Sequence, residues 1–235
     1  MYKKISNAFF QSALLLLILC KSPNSLAETA SGWSLYKETE SITVWYQPSE
    51  KNKSLYKVKA ETRTNASLSA FVNLLNDVSN ATRWIDNVQS VTVLQGNLIN
   101  NNDKAVKFEN IVHTKFNAIW PVSERDMVTH SIIEQDKESK VVIIHVDDWG
   151  NRIAQEQGYV RMKHVTAKWS IVPAENGQVI IRYVGFADPA GNVPLWLVNR
   201  FALISIYNTF VNLTEQVKSA NYQTPLPYIS DVTHE

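Results

Sequence analysis

The final third of the chain sets the strongest constraint on the fold. An apolar strand, Val179 to Phe186, passes through Ala187-Asp188-Pro189-Ala190-Gly191-Asn192-Val193-Pro194 into a helix that begins Leu195-Trp196-Leu197-Val198-Asn199. Pro189 and Gly191 supply the turn, and Pro194 opens the helix where a missing N–H costs nothing. Leu203, Ile206, Phe210, Leu213 and Val217 then recur at helical spacing and form one apolar stripe. A strand handed by one tight turn to such a helix predicts a helix that closes over a curved sheet.

Upstream, residues alternate with period two. Ile42, Val44 and Tyr46 face one way with Thr43 and Trp45 opposite, and Tyr56, Val58 and Ala60 alternate with Lys57, Lys59 and Glu61. Ser67 is placed to cap a helix carrying Leu68, Phe71, Leu75, Val78 and Ile85 and ending around Trp84-Ile85-Asp86. Further strands are expected over 88–94, 105–111, 125–133, 141–146, 159–171 and 179–186. This order predicts an α+β fold with the helices on one side of an antiparallel sheet. At 235 residues and 45% hydrophobic the chain can bury one sizeable core, and no Gly/Ser/Pro-rich linker divides it.

Three stretches, met in order, resemble the START family of lipid-binding domains. Trp120-Pro121-Val122-Ser123-Glu124-Arg125-Asp126-Met127-Val128 is similar to its Pro-x-x-x-Arg-Asp-Phe/Tyr-Val signature, Gly158-Tyr159-Val160-Arg161-Met162 to its Gly-Tyr-Val-Arg-Ala step, and Asp188-Pro189-Ala190-Gly191 with Pro194 and Trp196-Leu197 to the opening of its lid helix. Ala190 replaces one of the family's glycines. The resemblance spans roughly residues 32 to 219 and implies a helix-grip fold: a curved antiparallel sheet wrapped around a long C-terminal helix and enclosing a hydrophobic tunnel. It also implies binding, and transfer between membranes, of a single hydrophobic ligand without catalysis. Arg125, Asp126, Asp188, Pro189, Gly191 and Pro194 are then architectural. Ser131 stands where several sterol-binding members carry an Arg that pairs with an acid, so an ion pair for a sterol headgroup is not implied. The aromatic residues, read singly, are core residues. Under the resemblance, Trp84, Trp120, Trp169, Tyr183, Trp196, Phe201, Ile204 and Tyr207 become candidate ligand contacts, together with the strand cations Arg161 and Arg182. The loop from Thr114 to Glu124 would border the tunnel mouth, where Phe116, Ile119 and Trp120 are candidates for transient membrane contact.

At the N-terminus, Lys3 and Lys4 precede an apolar run from Ala13 to Cys20, and Ser25-Leu26-Ala27 has the form of a cleavage site. Residues 1–27 are therefore expected to be a signal peptide, 28–222 the domain and 223–235 a tail, with export to the periplasm if the source is a Gram-negative bacterium. The run is too short to span a membrane, and Leu19 stands where a lipoprotein signal wants a small residue before Cys20. Cleavage would remove the single cysteine and three of the 23 basic residues but none of the 22 acidic ones, turning a formal charge of +1 into −2. That balance offers nucleic acid no basic face. A monomer without a cofactor is expected.

For an enzyme the chain offers little. It has no Gly-x-Ser-x-Gly elbow, no Gly-x-Gly-x-x-Gly and no phosphate loop. His145 and Asp147, on one face of a strand, make an acid/base or metal pair, and His145 with Asp147 or Arg182 would be the sparse acid/base set of a cyclase or hydrolase of the same superfold. His113, His130 and His164 are scattered singly, without metal-ligand spacing. An accessory module with a filled interior is the third reading.

Overall fold

A computed structural model describes residues 32–99 and 107–231; the expected signal peptide lies outside the described residues. Alternating side chains build one sheet strand by strand. β1 (Ser34–Glu38), β2 (Ile42–Pro48) and β3 (Tyr56–Asn65) form an antiparallel meander. In it Ile42, Val44, Val58 and Ala60 are buried, while Trp45 on the opposite face carries the Lys59 ammonium 4.0 Å from its ring centroid. After α1 (Leu68–Asn76) come β4 (Val88–Ile99), β5 (Lys107–Phe116), β6 (Arg125–Gln135), β7 (Val142–Asp148), β8 (Val160–Arg161), β9 (Lys163–Pro173) and β10 (Gln178–Asp188), and then α2 (Leu195–Gln216). Their order in the sheet is β1-β2-β3-β10-β9-β7-β6-β5-β4, antiparallel throughout, with β8 added parallel beside β6. The last strand thus inserts between the early meander and the later strands, joining them into one curved, unclosed surface.

Two elements depart from the sequence expectation. The helix capped by Ser67, whose Oγ accepts from Ala70 N at 3.0 Å, stops at Asn76 and resumes as a 3₁₀ turn over Val78–Arg83. The break falls in the run Asn76-Asp77-Val78-Ser79-Asn80, where short polar side chains offer the backbone other partners. Asp77 accepts from the Ser79 hydroxyl at 2.6 Å and from the Tyr222 hydroxyl at 2.8 Å. The single strand expected over 159–171 is split, because Val160 and Arg161 pair with Arg125 and Asp126 of β6 instead of continuing into β9.

Leu203, Ile206, Phe210, Leu213 and Val217 are all buried as their spacing predicts, and the packing is solid under the C-terminal half of α2. Trp169 is its centre: its ring stacks on Phe210 at 5.9 Å and meets Phe71 at 5.2 Å and Trp84 at 6.4 Å. The N-terminal half of α2 overhangs the sheet instead. After α2, a 3₁₀ turn (Ala220–Tyr222) leads the chain back across α1. Asn73 Nδ2 donates to the carbonyls of Tyr222 and Thr224 at 2.8 Å, and the Asp231 carboxylate accepts from Ser69 N at 2.9 Å. Gln135 and Ser230 exchange two hydrogen bonds, and Tyr228 stacks on Phe108. Ile229 is buried in the core. The expected tail from 223 is therefore part of the packed unit at least to Asp231.

Candidate functional site

The overhang leaves a hollow of about 770 Å³ between α2 and the concave face of the sheet. Strand alternation decides what lines it. On β7 the inward positions are Ile144 and Val146, on β9 Val165, Ala167 and Trp169, and on β10 Tyr183 and Gly185. α2 contributes Phe201 and Ile204 from its overhanging turns, and the segment after α1 contributes Trp84. Five of the ten candidate ligand contacts thus line the hollow: Trp84, Trp169, Tyr183, Phe201 and Ile204. Tyr183 stands against Trp169 with ring centroids 4.6 Å apart and folds over Gly185, where an added Cβ would sit 2.1 Å from its Oη. Burial pushes the Tyr183 hydroxyl up to a pKa of about 12, so it remains a neutral hydrogen-bonding group.

The other five lie elsewhere. Trp120 is 91% exposed at the tip of the β5–β6 loop, although its neighbours Ile119 and Val122 border the opening. Trp196, on the first turn of α2, is 67% exposed. Tyr207 faces β1, where the Lys37 ammonium lies 3.6 Å from its ring centroid. Arg182 alternates with Tyr183 and so points outward, donating from Nε to Glu61 Oε2 at 2.6 Å. Arg161 is buried, but in a polar knot on the far side of β6 from the hollow. Its Nε and Nη2 grip the two Asp126 oxygens at 2.9 and 2.8 Å, and its remaining donors reach the carbonyls of Gly150, Ile153 and Ala154. His113 Nε2 donates to the same carboxylate at 2.8 Å. Burial alone would raise the Asp126 carboxyl; the bonds from Arg161 and His113 outweigh it and hold the group below the usual carboxylate range.

Arg125, one residue from Asp126 and therefore on the other face, borders the opening. Its guanidinium donates to the carbonyl of Ser123 in the β5–β6 loop and, at 3.4 Å, to those of Pro189 and Ala190 in the β10–α2 loop. One side chain thus fastens both loops at the mouth. The turn between β10 and α2 follows from its sequence: Asp188 Oδ1 accepts from Ala190 N at 2.8 Å, and Ala190 and Gly191 both have positive φ, at 53° and 68°. Ala190, where the family pattern has glycine, takes up a conformation that costs a side chain about 1 kcal/mol.

Among the described residues the hollow holds no hydrogen-bonded nucleophile–base pair. Asp86 and Arg125 are the charged residues on its lining, and Asp86 accepts from Asn208 Nδ2 at 3.3 Å. His145 and Asp147 point outward from β7, opposite in phase to Ile144 and Val146, with His145 Nε2 3.8 Å from Glu134 Oε1. Among the described residues no cluster of three His, Cys, Asp or Glu could hold a metal ion. Asn110 and Thr129, absent from the sequence reading, line the hollow from β5 and β6 together with Ser131, named there only as the position of the family's Arg, and Thr114, which belongs to β5 and not to the mouth loop. Their phase was the available signal, since Asn110, Val112 and Thr114 alternate with Ile111 and His113.

An α+β sheet gripping its last helix around an apolar hollow defines a helix-grip protein. The chain belongs to the START domain family, whose model matches residues 19–221. An uncharacterized protein of Pseudomonas aeruginosa is 26% identical to it over 191 residues, 81% of this chain and 87% of that protein. The crystal structure of a STAR-related lipid transfer protein (fragment 25–204) from Xanthomonas axonopodis is 26% identical, covers 80% of this chain and 99% of its own, and superposes with a TM-score of 0.66. Human STARD10 shares the fold at a TM-score of 0.67 and 18% identity, over 81% of this chain and 74% of its own.

Proposed function

We propose that this protein encloses one lipid or similarly hydrophobic molecule in the hollow beneath α2 and carries it between membranes without altering it. The observation that carries this reading is an apolar-walled space of 770 Å³ whose bordering cation, Arg125, is already committed to backbone carbonyls. That volume lies within the range of about 300–1,000 Å³ typical of small-molecule sites. Hiding about 300 Å² of hydrocarbon at roughly 25 cal/mol per Å² contributes about 7 kcal/mol before the costs of association. The likeness to a STAR-related lipid transfer protein points the same way. His145, Asp147 and Arg182, the residues of the enzymatic alternative, point away from the hollow.

The protein works as an exported monomer once residues 1–27 are removed. Its contact with a membrane is through the mouth, where Trp120, Leu195 and Trp196 are exposed on the two segments that Arg125 ties together. Exposed aromatic side chains of this kind insert readily at the lipid headgroup boundary. Native mass spectrometry of the protein purified from its own host, followed by transfer of the extracted lipid between vesicles, tests the reading. One lipid-sized adduct per chain is expected, with transfer slowed several-fold by Trp120→Ala combined with Trp196→Ala. Protein that arrives empty and takes up no lipid from vesicles refutes it.

A further inference from the structure

The lining of the hollow is chemically one-sided. On β5 and β6, Asn110 and Ser131 stand directly opposite each other in the antiparallel register, Thr129 occupies the next inward position, and Thr114 lies nearer the mouth. Asn110, Thr114 and Thr129 are 9%, 4% and 5% exposed. Among the described residues none of the four side chains makes a hydrogen bond, and none of their polar atoms is sealed from open space, in contrast to the enclosed hydroxyls of Thr62 and Thr64. Buried groups of this kind are normally paired, and those left open to a hollow await a partner. The cluster is also deep. Asn110 precedes Phe116, at the mouth end of β5, by six residues, or about 20 Å of strand.

No cation waits there. Arg125 is at the mouth and engaged, Arg161 is bound to Asp126 behind β6, and Arg182 is paired outside. An ionised head brought to Asn110 would lose its water without gaining a counter-charge, whereas hydroxyl and amide side chains replace water well around a neutral oxygen.

We propose that Asn110, Thr129 and Ser131, with Thr114 on the approach, form a closed-end subsite for the uncharged, hydroxyl- or carbonyl-bearing end of the ligand, so that neutral amphiphiles enter polar end first and those with ionised heads are rejected. This rests on the reading of the hollow as a lipid site and adds the chemical class and direction of its occupant.

The experiment uses three probes with one apolar body: 12-(1-pyrenyl)dodecan-1-ol, 12-(1-pyrenyl)dodecanoate and 1-dodecylpyrene, titrated by fluorescence into delipidated protein. The alcohol is expected to bind about tenfold more tightly than either of the others, since each hydrogen bond to an otherwise unpaired group contributes up to roughly that factor. Combining the near-isosteric changes Thr129→Val and Ser131→Ala should weaken the alcohol about tenfold and leave dodecylpyrene within about twofold. Asn110→Leu should act in the same sense. A carboxylate that binds as tightly as the alcohol, or variants that leave the order of the three probes unchanged, overturns the subsite and leaves the lipid reading standing. Failure of all three probes to bind protein that also carries no lipid from its host overturns both.

Discussion

Ala167→Phe offers the sharpest test of whether the interior is hollow. Ala167 sits on β9 between Val146 of β7 and Gly185 of β10, and its methyl faces the open space. In a close-packed core an added ring forces neighbours off their rotamers and costs about 1–3 kcal/mol. At Ala167 the added ring has the hollow to enter. Burying it gains about 1–2 kcal/mol beyond the alanine methyl and gives back up to about 1 kcal/mol in lost rotamer freedom. The expected change in stability is therefore within about 1 kcal/mol of zero, of either sign. Ala70 on α1, fully buried and absent from the lining, supplies the comparison, and Ala70→Phe should lose the full 1–3 kcal/mol or so. Urea unfolding of delipidated protein reads both as shifts in midpoint at constant slope. The same ring at 167 occupies space that a ligand needs, so pyrenyl-dodecanol uptake should fall steeply in Ala167→Phe and much less in Ala70→Phe. Equal destabilisation at the two sites, with probe uptake intact at 167, would show that the interior is solid there and that the ligand goes elsewhere.

Removing the charge of Asp126 leaves the buried Arg161 guanidinium without its counter-ion, and Asp126→Asn is expected to cost about 3–5 kcal/mol by equilibrium unfolding. Because the folded pKa of Asp126 is depressed, its contribution is complete above the unfolded value of about 3.9 and is lost as pH falls through the lower folded value. The variant should accordingly show a flatter acid limb. Tyr183 works in the opposite direction. Its folded pKa is raised to about 12, so its contribution is whole below the unfolded value of about 10 and declines as pH rises toward the folded one. Burial also raises Tyr222 and Tyr228, so a tyrosinate absorbance titration should show several late-ionising tyrosines, one of which disappears in Tyr183→Phe.

Helical and strand phase explain what the sequence could disclose. The buried stripe of α2 is a matter of counting, as are Phe201 and Ile204, three residues apart on the overhanging face. The same counting places Trp196 about 140° around the helix from Phe201, at the 100° per residue of an α-helix, and explains its exposure. Arg182 and Tyr183 are adjacent in a strand and cannot both face inward, so naming both as contacts conflicted with period two. Arg161 was harder to place. Its burial depends on the parallel pairing of Val160–Arg161 with Arg125–Asp126 and on carbonyls from the segment after β7, neither of which leaves a local pattern. Which part of the interior stays open depends on sheet curvature and on the overhang of α2, properties of the assembled sheet that no single window contains. Of the polar inward residues of β5 and β6, Thr114 lies beyond the strand end expected at Ile111, whereas Asn110, Thr129 and Ser131 lie inside expected strands, where phase alone does not separate a residue lining a hollow from one packed in a core.

The segment that returns across α1 also bears on how the molecule is trimmed. The START match ends at residue 221, yet Ile229 lies in the core, Tyr228 covers Phe108 two positions beyond Asn110, and Asp231 holds the first turn of α1. A shortened version cut at the homology limit would lose the clasp behind the blind end of the chamber. Water could then enter from the rear, and such a fragment would misreport both the melting temperature and the selectivity of the intact chain.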